Sequence, residues 1–348
     1  MLDFMDHVQN AFYTSTNWNV DNGYTRLNSS AQSILDFRTP RGLRFHLSSL
    51  STPNFATSYS LGSISVIDGS LSYLYSTLPL SSPKSADVDL RLLSPGYRQH
   101  HPWKYPSPTR DDALMYGRMF LPSGTLEALY LKRLGATKQV RVTAVSDSKL
   151  KHGGTILAML QQDTGKWSSE YLYSTDVALL GWRGLWNFGE ADPRPEGDKP
   201  VGRFSGGAEV YYGVLNKSAG MSTGLRYTTL PQHPGIPLTM TLTLNPLMGH
   251  WTATYAVKVG EKAAFASRFE FNMFSYESDI VMGAELWRSK GEEGMEGVLK
   301  AKMTQNGSLG LLWEGRLKEL LFSIGGAVDF RRGEGMVKVL GVEIAYSS

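Results

Sequence analysis

The side chains that most often carry enzyme chemistry form no recognisable motif in this sequence. Cysteine is absent, which excludes disulfides, thiolate metal sites and thiolate nucleophiles. The chain has no glycine-rich phosphate loop, no Gly-x-Ser-x-Gly elbow and no histidine pair at metal-binding spacing on a helix. His100 and His101 are adjacent, but no third ligand or carboxylate pair accompanies them, so they make a poor metal site. We therefore expect a protein without enzymatic activity, metal or cofactor.

Tyrosine pairs are the side chains best suited to bind a partner. Tyr73 and Tyr75 are two residues apart, between Ser72 and Ser76, so they share one face of a strand just before a long loop. A rigid ring with a hydroxyl group offers a partner a large contact area. The alternative is an ordinary aromatic girdle at the level of the lipid headgroups. Tyr211 and Tyr212 form a second docking candidate. Adjacent residues of a strand point to opposite faces, so in a membrane barrel one of them must face the lumen and the other lipid or a partner.

The composition is typical of neither a soluble core nor a nucleic-acid-binding surface. Charged residues make up only 19 % of the chain, and 35 basic against 32 acidic residues leave a net charge of +3. No apolar run approaches the roughly 18 residues that a spanning helix needs. The first residues lack the positive start and apolar stretch of a secretory signal, which argues against a bacterial outer-membrane protein.

From residue 42 onward, apolar and polar side chains alternate with the period of a β-strand. The clearest case is 237–247, where leucine and methionine alternate with threonine. The typical segment of about ten residues is long enough to cross a bilayer at a tilt. The pattern predicts nineteen strands, at residues 42–50, 55–67, 70–78, 114–121, 124–134, 138–146, 155–163, 167–176, 177–188, 203–215, 219–230, 237–247, 250–259, 263–274, 278–288, 298–305, 308–317, 320–330 and 336–347.

Four long connections follow odd-numbered predicted strands, namely 79–113, 189–202, 231–236 and 289–297. Connections after even-numbered strands are mostly two to five residues, with 147–154 the longest. In an up-and-down meander, odd and even connections lie on opposite sides, and long loops on one side are typical of membrane barrels. Because backbone groups cannot remain unpaired in lipid, such a sheet has to close. We therefore predict a transmembrane β-barrel over 42–348. A soluble sandwich or propeller is the alternative, although no repeat supports a propeller.

Several strings along the chain resemble the fungal mitochondrial distribution and morphology protein 10 family. They lie at 1–5, 18–19, 39–43, 92–98, 116–118, 207–213 and 238–250. The resemblance implies a barrel of about nineteen strands, of the voltage-dependent anion channel (porin-like) type, in the mitochondrial outer membrane. Family members are often longer, with the extra residues in loops.

The resemblance also implies two sets of partners. The first is the tether between endoplasmic reticulum and mitochondria, for which the barrel is the membrane anchor of lipid-transfer subunits, with effects on mitochondrial morphology and inheritance. The second is the sorting and assembly machinery, with its central barrel and peripheral subunits, where it assists β-barrel assembly. The alternative function is a solute-conducting, anion-channel-like porin; its lumen would be basic, whereas the predicted lumen mixes Arg268 with Glu270.

Residues 1–41 lack the strand pattern and show no large apolar face. A short helix is predicted near 29–37, with Asn28 or Ser29 as its cap. By resemblance we expect this segment inside the lumen, with a flexible tail as the alternative. Loop 79–113 contains six prolines, and we expect it to be solvated.

The last predicted strand carries an imperfect sorting signal of the kind found in mitochondrial barrels. Gly341, Ile344 and Tyr346 fit the glycine and the two apolar positions. The polar position falls on Val339, with Lys338 one residue early. We expect the three matching residues to be recognised during membrane assembly.

Overall fold

Nineteen strands form one sheet that closes into a barrel in the computed structural model, which describes residues 3–64, 66–81, 84–104, 111–150, 152–189, 201–288, 296–330 and 336–348. Each strand pairs antiparallel with the next along the chain, while the first and last pair in parallel. The strands are β1 (Gly42–Thr52), β2 (Phe55–Ile64), β3 (Val66–Ser76), β4 (Ala113–Leu121), β5 (Leu126–Arg133), β6 (Lys138–Ser146), β7 (Gly154–Asp163), β8 (Trp167–Ser174), β9 (Leu179–Asn187), β10 (Gly202–Gly213), β11 (Ser218–Thr229), β12 (Leu238–Asn245), β13 (His250–Val259), β14 (Ala263–Asn272), β15 (Ser278–Arg288), β16 (Glu296–Thr304), β17 (Ser308–Leu317), β18 (Leu320–Asp329) and β19 (Met336–Ser347).

The predicted strand number and all-β barrel fold are confirmed, and the main boundary error lies between β2 and β3. Asp68-Gly69, which has the composition of a turn, lies inside β3. The register of β2 and β3 extends to Ile64 and Val66, which are paired. Asp68 faces the lumen and forms an ion pair with Arg44 at 2.9 Å, so a tertiary contact outweighs the local turn signal.

The alternation of side chains separates an apolar outer wall from a polar inner wall. In β12, Met240 and Leu242 are exposed on the outside, whereas Thr239 and Thr241 are buried on the inside. Charged side chains on the outer wall, such as Lys132 and Lys138, lie close to strand ends. This distribution matches a wall that faces hydrocarbon and ends at the headgroups.

The N-terminal segment packs against the inner wall through a helix that the sequence analysis missed. This helix, α1 (Phe4–Ser15), buries Met5, Val8 and Phe12 against inward side chains of β2 to β5. The expectation that the segment has no large apolar face is therefore wrong, because these three residues recur at helical spacing. No helix among the described residues is long and apolar enough to cross a bilayer.

A second short helix, α2 (Ser29–Leu35), corresponds to the helix predicted at 29–37, and Asn28 precedes it without a capping side-chain hydrogen bond. Ile34 and Leu35 pack on a patch of small side chains on the opposite part of the wall, namely Ala256, Ala264, Ala266 and Val281. The segment therefore contacts two separate parts of the inner wall, which a tail outside the barrel could not do.

The expectation of a solvated loop is wrong for the described part of 79–113. A single helical turn, α3 (Leu90–Leu93), buries Leu90 and Leu93 against Leu321 of β18. The Ser94 hydroxyl donates a hydrogen bond to Glu314, and the Lys300 ammonium donates one to the Pro95 carbonyl. The segment 84–104 therefore fills the lumen together with the N-terminal segment.

Candidate functional site

The two predicted docking tyrosines lie side by side on the outer wall. Tyr73 and Tyr75 are 43 % and 47 % exposed and stand near the end of β3 where the long loop leaves the barrel. Phe55 of β2 stacks on Tyr73, with ring centroids 5.9 Å apart and planes at 17°. The intervening Leu74 is buried on the lumen side. We call Phe55, Tyr73 and Tyr75 the wall cluster; its partner binding stays a prediction.

Tyr211 and Tyr212 face opposite sides of the wall, as their adjacency requires. Tyr212 is exposed on the outside. Tyr211 faces the lumen, where its hydroxyl donates a hydrogen bond to Glu209 at 2.7 Å and accepts one from Arg183. Tyr211 therefore does not contribute to a docking surface on the outer wall, because it belongs to the polar network of the inner wall.

The three residues of the predicted sorting signal do not share one face of β19. Ile344 and Tyr346 lie on the outer face, paired with Phe45 and Leu47 of β1. Gly341 lies on the inner face beneath Pro40, where the chain leaves the lumen to enter β1. The glycine and the two apolar residues therefore make different contacts in the folded barrel. Recognition of the signal stays a prediction.

Sequence analysis missed a patch of apolar side chains on two neighbouring turns. Leu247, Met248, Phe274 and Tyr276, which we call the turn patch, are 55 %, 63 %, 67 % and 81 % exposed. A backbone hydrogen bond from Met273 to the Gly249 carbonyl, at 2.7 Å, holds the two turns together. The sequence signal that could have revealed this patch is the presence of apolar residues at turn positions, where polar residues are usual. Two were assigned to strands 237–247 and 263–274 because apolar residues continue past the strand ends.

The wall cluster and the turn patch lie far apart on the barrel. The wall cluster is near the rim at which odd-numbered strands end, and the turn patch follows even-numbered strands at the other rim. β3 and the β12–β15 strands are also on opposite sides of the ring of nineteen strands. The two surfaces are therefore separate from each other.

The lumen retains a cavity of about 800 Å³ between the N-terminal segment and the wall around the β1–β19 seam. Charges of both signs line it, including the pair Arg118–Asp3 at 3.1 Å, and Nε2 of His46 lies 2.5 Å from the Glu343 carboxylate. Burial raises the pKa of the Asp6 carboxyl, and the charge of Asp3 raises it further. Among the described residues no group of three or more metal-binding side chains occurs.

A closed ring of strands, antiparallel except at the β1–β19 seam, with an apolar outer wall and a filled lumen defines a β-barrel of the membrane-spanning class. A family model described as "Mitochondrial distribution and morphology protein 10" matches residues 1–295 and 290–348. The chain therefore belongs to the mitochondrial distribution and morphology protein 10 family, as its resemblance indicated.

Curated relatives bearing that name match over the full length of both chains. The chain is 53 % identical to the protein of Phaeosphaeria nodorum over 393 residues and 52 % identical to that of Sclerotinia sclerotiorum over 401 residues, with 100 % of each chain covered. The protein of Yarrowia lipolytica is 42 % identical over 360 residues, again with 100 % of both chains covered.

Proposed function

We propose that this chain is a barrel of the mitochondrial outer membrane that serves two sets of partners without catalysing a reaction. It anchors the tether between endoplasmic reticulum and mitochondria, which exchanges lipids and supports mitochondrial morphology and inheritance. It also assists the sorting and assembly machinery in β-barrel assembly. Family membership supports this proposal. The observation that carries the two-partner arrangement is the pair of exposed aromatic surfaces at opposite rims and on opposite sides of the ring.

The wall cluster fits a partner that is itself embedded in the membrane. Its rings belong to the strand wall, which faces hydrocarbon, so a water-soluble protein does not reach them. Two tyrosines backed by a stacked phenylalanine present rigid rings with hydroxyl groups to an incoming wall. We assign this surface to the central barrel of the sorting and assembly machinery.

The turn patch fits a partner at the membrane surface. Its side chains project from turns beyond the strand ends, where the surroundings become aqueous. Large exposed apolar patches on such surfaces mark protein contact sites, because leaving them in water is unfavourable. We assign the turn patch to a tether subunit.

The first experiment replaces Tyr73 and Tyr75 with alanine and isolates the barrel from detergent-solubilised mitochondria. We expect loss of the central assembly barrel from the isolate, with tether subunits retained. The matched control is Y171A/Y173A, because Tyr171 and Tyr173 are also exposed and two residues apart on the outer wall. Equal recovery of the assembly barrel with both double variants would refute the wall assignment.

The second experiment replaces Phe274 and Tyr276 with serine. We expect tether subunits to be lost while the assembly barrel is retained. The control is L215S, since Leu215 is 72 % exposed on another turn at the same rim. If F274S/Y276S keeps its tether subunits, the turn patch is not their docking surface.

A further inference from the structure

We propose that the lumen holds a small inorganic anion, chloride, between Arg203 of β10 and Arg226 of β11. These two side chains, the arginine pair, lie on the inner wall beneath the segments that fill the lumen. The inference rests on buried guanidinium groups with unused hydrogen-bond donors and does not depend on the proposed partners.

Arg226 is almost completely buried, with 1 % of its surface exposed. Its Nη1 donates to the Arg26 carbonyl at 3.3 Å and lies 3.5 Å from Nε2 of His100. Its Nε and Nη2 are buried and have no hydrogen-bond partner in the structure. A buried guanidinium with donors left unused is strongly unfavourable unless another acceptor is present.

Arg203 places a second positive charge beside the first. Because Arg203 pairs with Thr228 and Arg226 pairs with Ser205, the two arginines are diagonal neighbours on adjacent strands. Arg203 donates to the His101 carbonyl at 3.1 Å, and its Nε is buried without a partner. The two positive charges repel each other, and a negative charge between them would offset this repulsion.

No carboxylate forms an ion pair with the arginine pair within the ranges that the structure describes. Asp21 exerts its charge on Arg226 but is itself bound to Arg98 at 2.6 Å. His100 adds no positive charge, because burial and the neighbouring arginines hold its pKa well below the usual range. The site therefore has positive charge in excess and free N–H groups, the donor set that binds anions.

The position of the site suggests what the anion does. It lies where the N-terminal segment (Arg26), the 84–104 segment (His100 and His101) and the inner wall meet. A monovalent anion here would offset one of the two positive charges of the arginine pair, reduce the repulsion between them and hold the three segments together. A compact monovalent ion suits this position, because the surrounding side chains are buried.

The test measures the melting temperature of the full-length barrel in non-ionic detergent as chloride replaces gluconate at constant ionic strength. We expect the melting temperature of the wild type to rise with chloride and then saturate, as for a ligand that binds only the folded state. Bromide should reproduce the rise, and phosphate should not. R226Q should abolish it, whereas R268Q should retain it, because Arg268 is already paired with Asp36 at 2.7 Å.

Three outcomes would overturn the proposal: no dependence on chloride, the same dependence in wild type and R226Q, or a larger effect of phosphate than of chloride. R203Q provides the same comparison if R226Q fails to fold. Crystals soaked in bromide give an independent readout. Anomalous density between the two guanidinium groups supports the site, and its absence at full soaking refutes it.

Discussion

Pro40 lies so close to Gly341 that a β-carbon at residue 341 would stand 2.6 Å from the carbonyl carbon and oxygen of Pro40. A β-carbon at Gly325, on the neighbouring strand β18, would stand 2.9 Å from the Pro40 ring. Pro40 is the point at which the chain leaves the lumen to enter β1. The parallel β1–β19 pair therefore closes over the N-terminal segment only because these positions lack side chains.

We expect G341A to destabilise the folded barrel by about 1–3 kcal/mol, the usual range for overpacking a tight site. The contact is with backbone atoms, which cannot move aside as a flexible side chain would. Denaturant unfolding in detergent measures the loss. G220A is the control, since a β-carbon there would meet its nearest atom at 3.8 Å. Equal stability of the two variants would contradict this account of closure.

A substitution at Tyr346 tests recognition of the sorting signal without disturbing the packing at the seam, because Tyr346 lies on the outer face and away from Pro40. We expect Y346A to lower the amount of barrel inserted by isolated mitochondria while leaving the stability of the refolded barrel nearly unchanged. L340A, at an equally outward position of β19, is the control for lost apolar surface. Undiminished insertion of G341A/Y346A would rule out the signal.

Lys300 and Glu314 form a fully buried pair, with 3.9 Å between Nζ and the carboxylate oxygen. K300M leaves the Glu314 carboxylate buried without its cation and removes the contact to Pro95, so we expect a loss of about 3–5 kcal/mol. Thermal unfolding and protease cleavage within 84–104 should both report it. The double variant K300M/E314Q should lose less stability than the sum of the losses of the two single variants. Losses that simply add would argue against coupling between the two side chains.

The filled lumen predicts little conductance in planar bilayers. Wild-type barrel should show no large, stable pore, because α1, α2 and the 84–104 segment occupy the inner wall. Replacing 84–104 with a flexible linker of equal length should open one. A large, stable pore in the wild type would instead support the porin-like channel.

His100 predicts a pH dependence of stability. Its pKa is lowered in the folded barrel, so the folded state binds fewer protons than the unfolded chain, whose histidine titrates at about 6.5. The stability contribution of neutral His100 is complete above that pH and is lost as the pH falls below it. H100Q should remove this part of the acid sensitivity, as seen in melting temperatures between pH 7.5 and 5. H152Q, at an exposed histidine, should not.

Much of the fold could be predicted because strand alternation is a local property. The segment 237–247 indicates β12 without knowledge of its neighbours, and the spacing of Tyr73 and Tyr75 places both on one face. Helix α1 was missed although Met5, Val8 and Phe12 are at helical spacing, because the polar residues between them masked the pattern. The turn patch was missed because apolar residues do not stop where the strands end, so two of its residues were counted as strand residues.

The sequence by itself determined the strands, their order and the apolar outer wall, since a period of two residues places side chains on alternate faces wherever the strand lies. Only the tertiary structure decided what fills the lumen. Ser94 meets Glu314 across 220 residues, and Pro40 meets Gly341 at the seam, because closure of the ring brings distant parts of the chain together. Neither contact has a local signature, since a serine or a glycine acquires its partner only when the barrel closes.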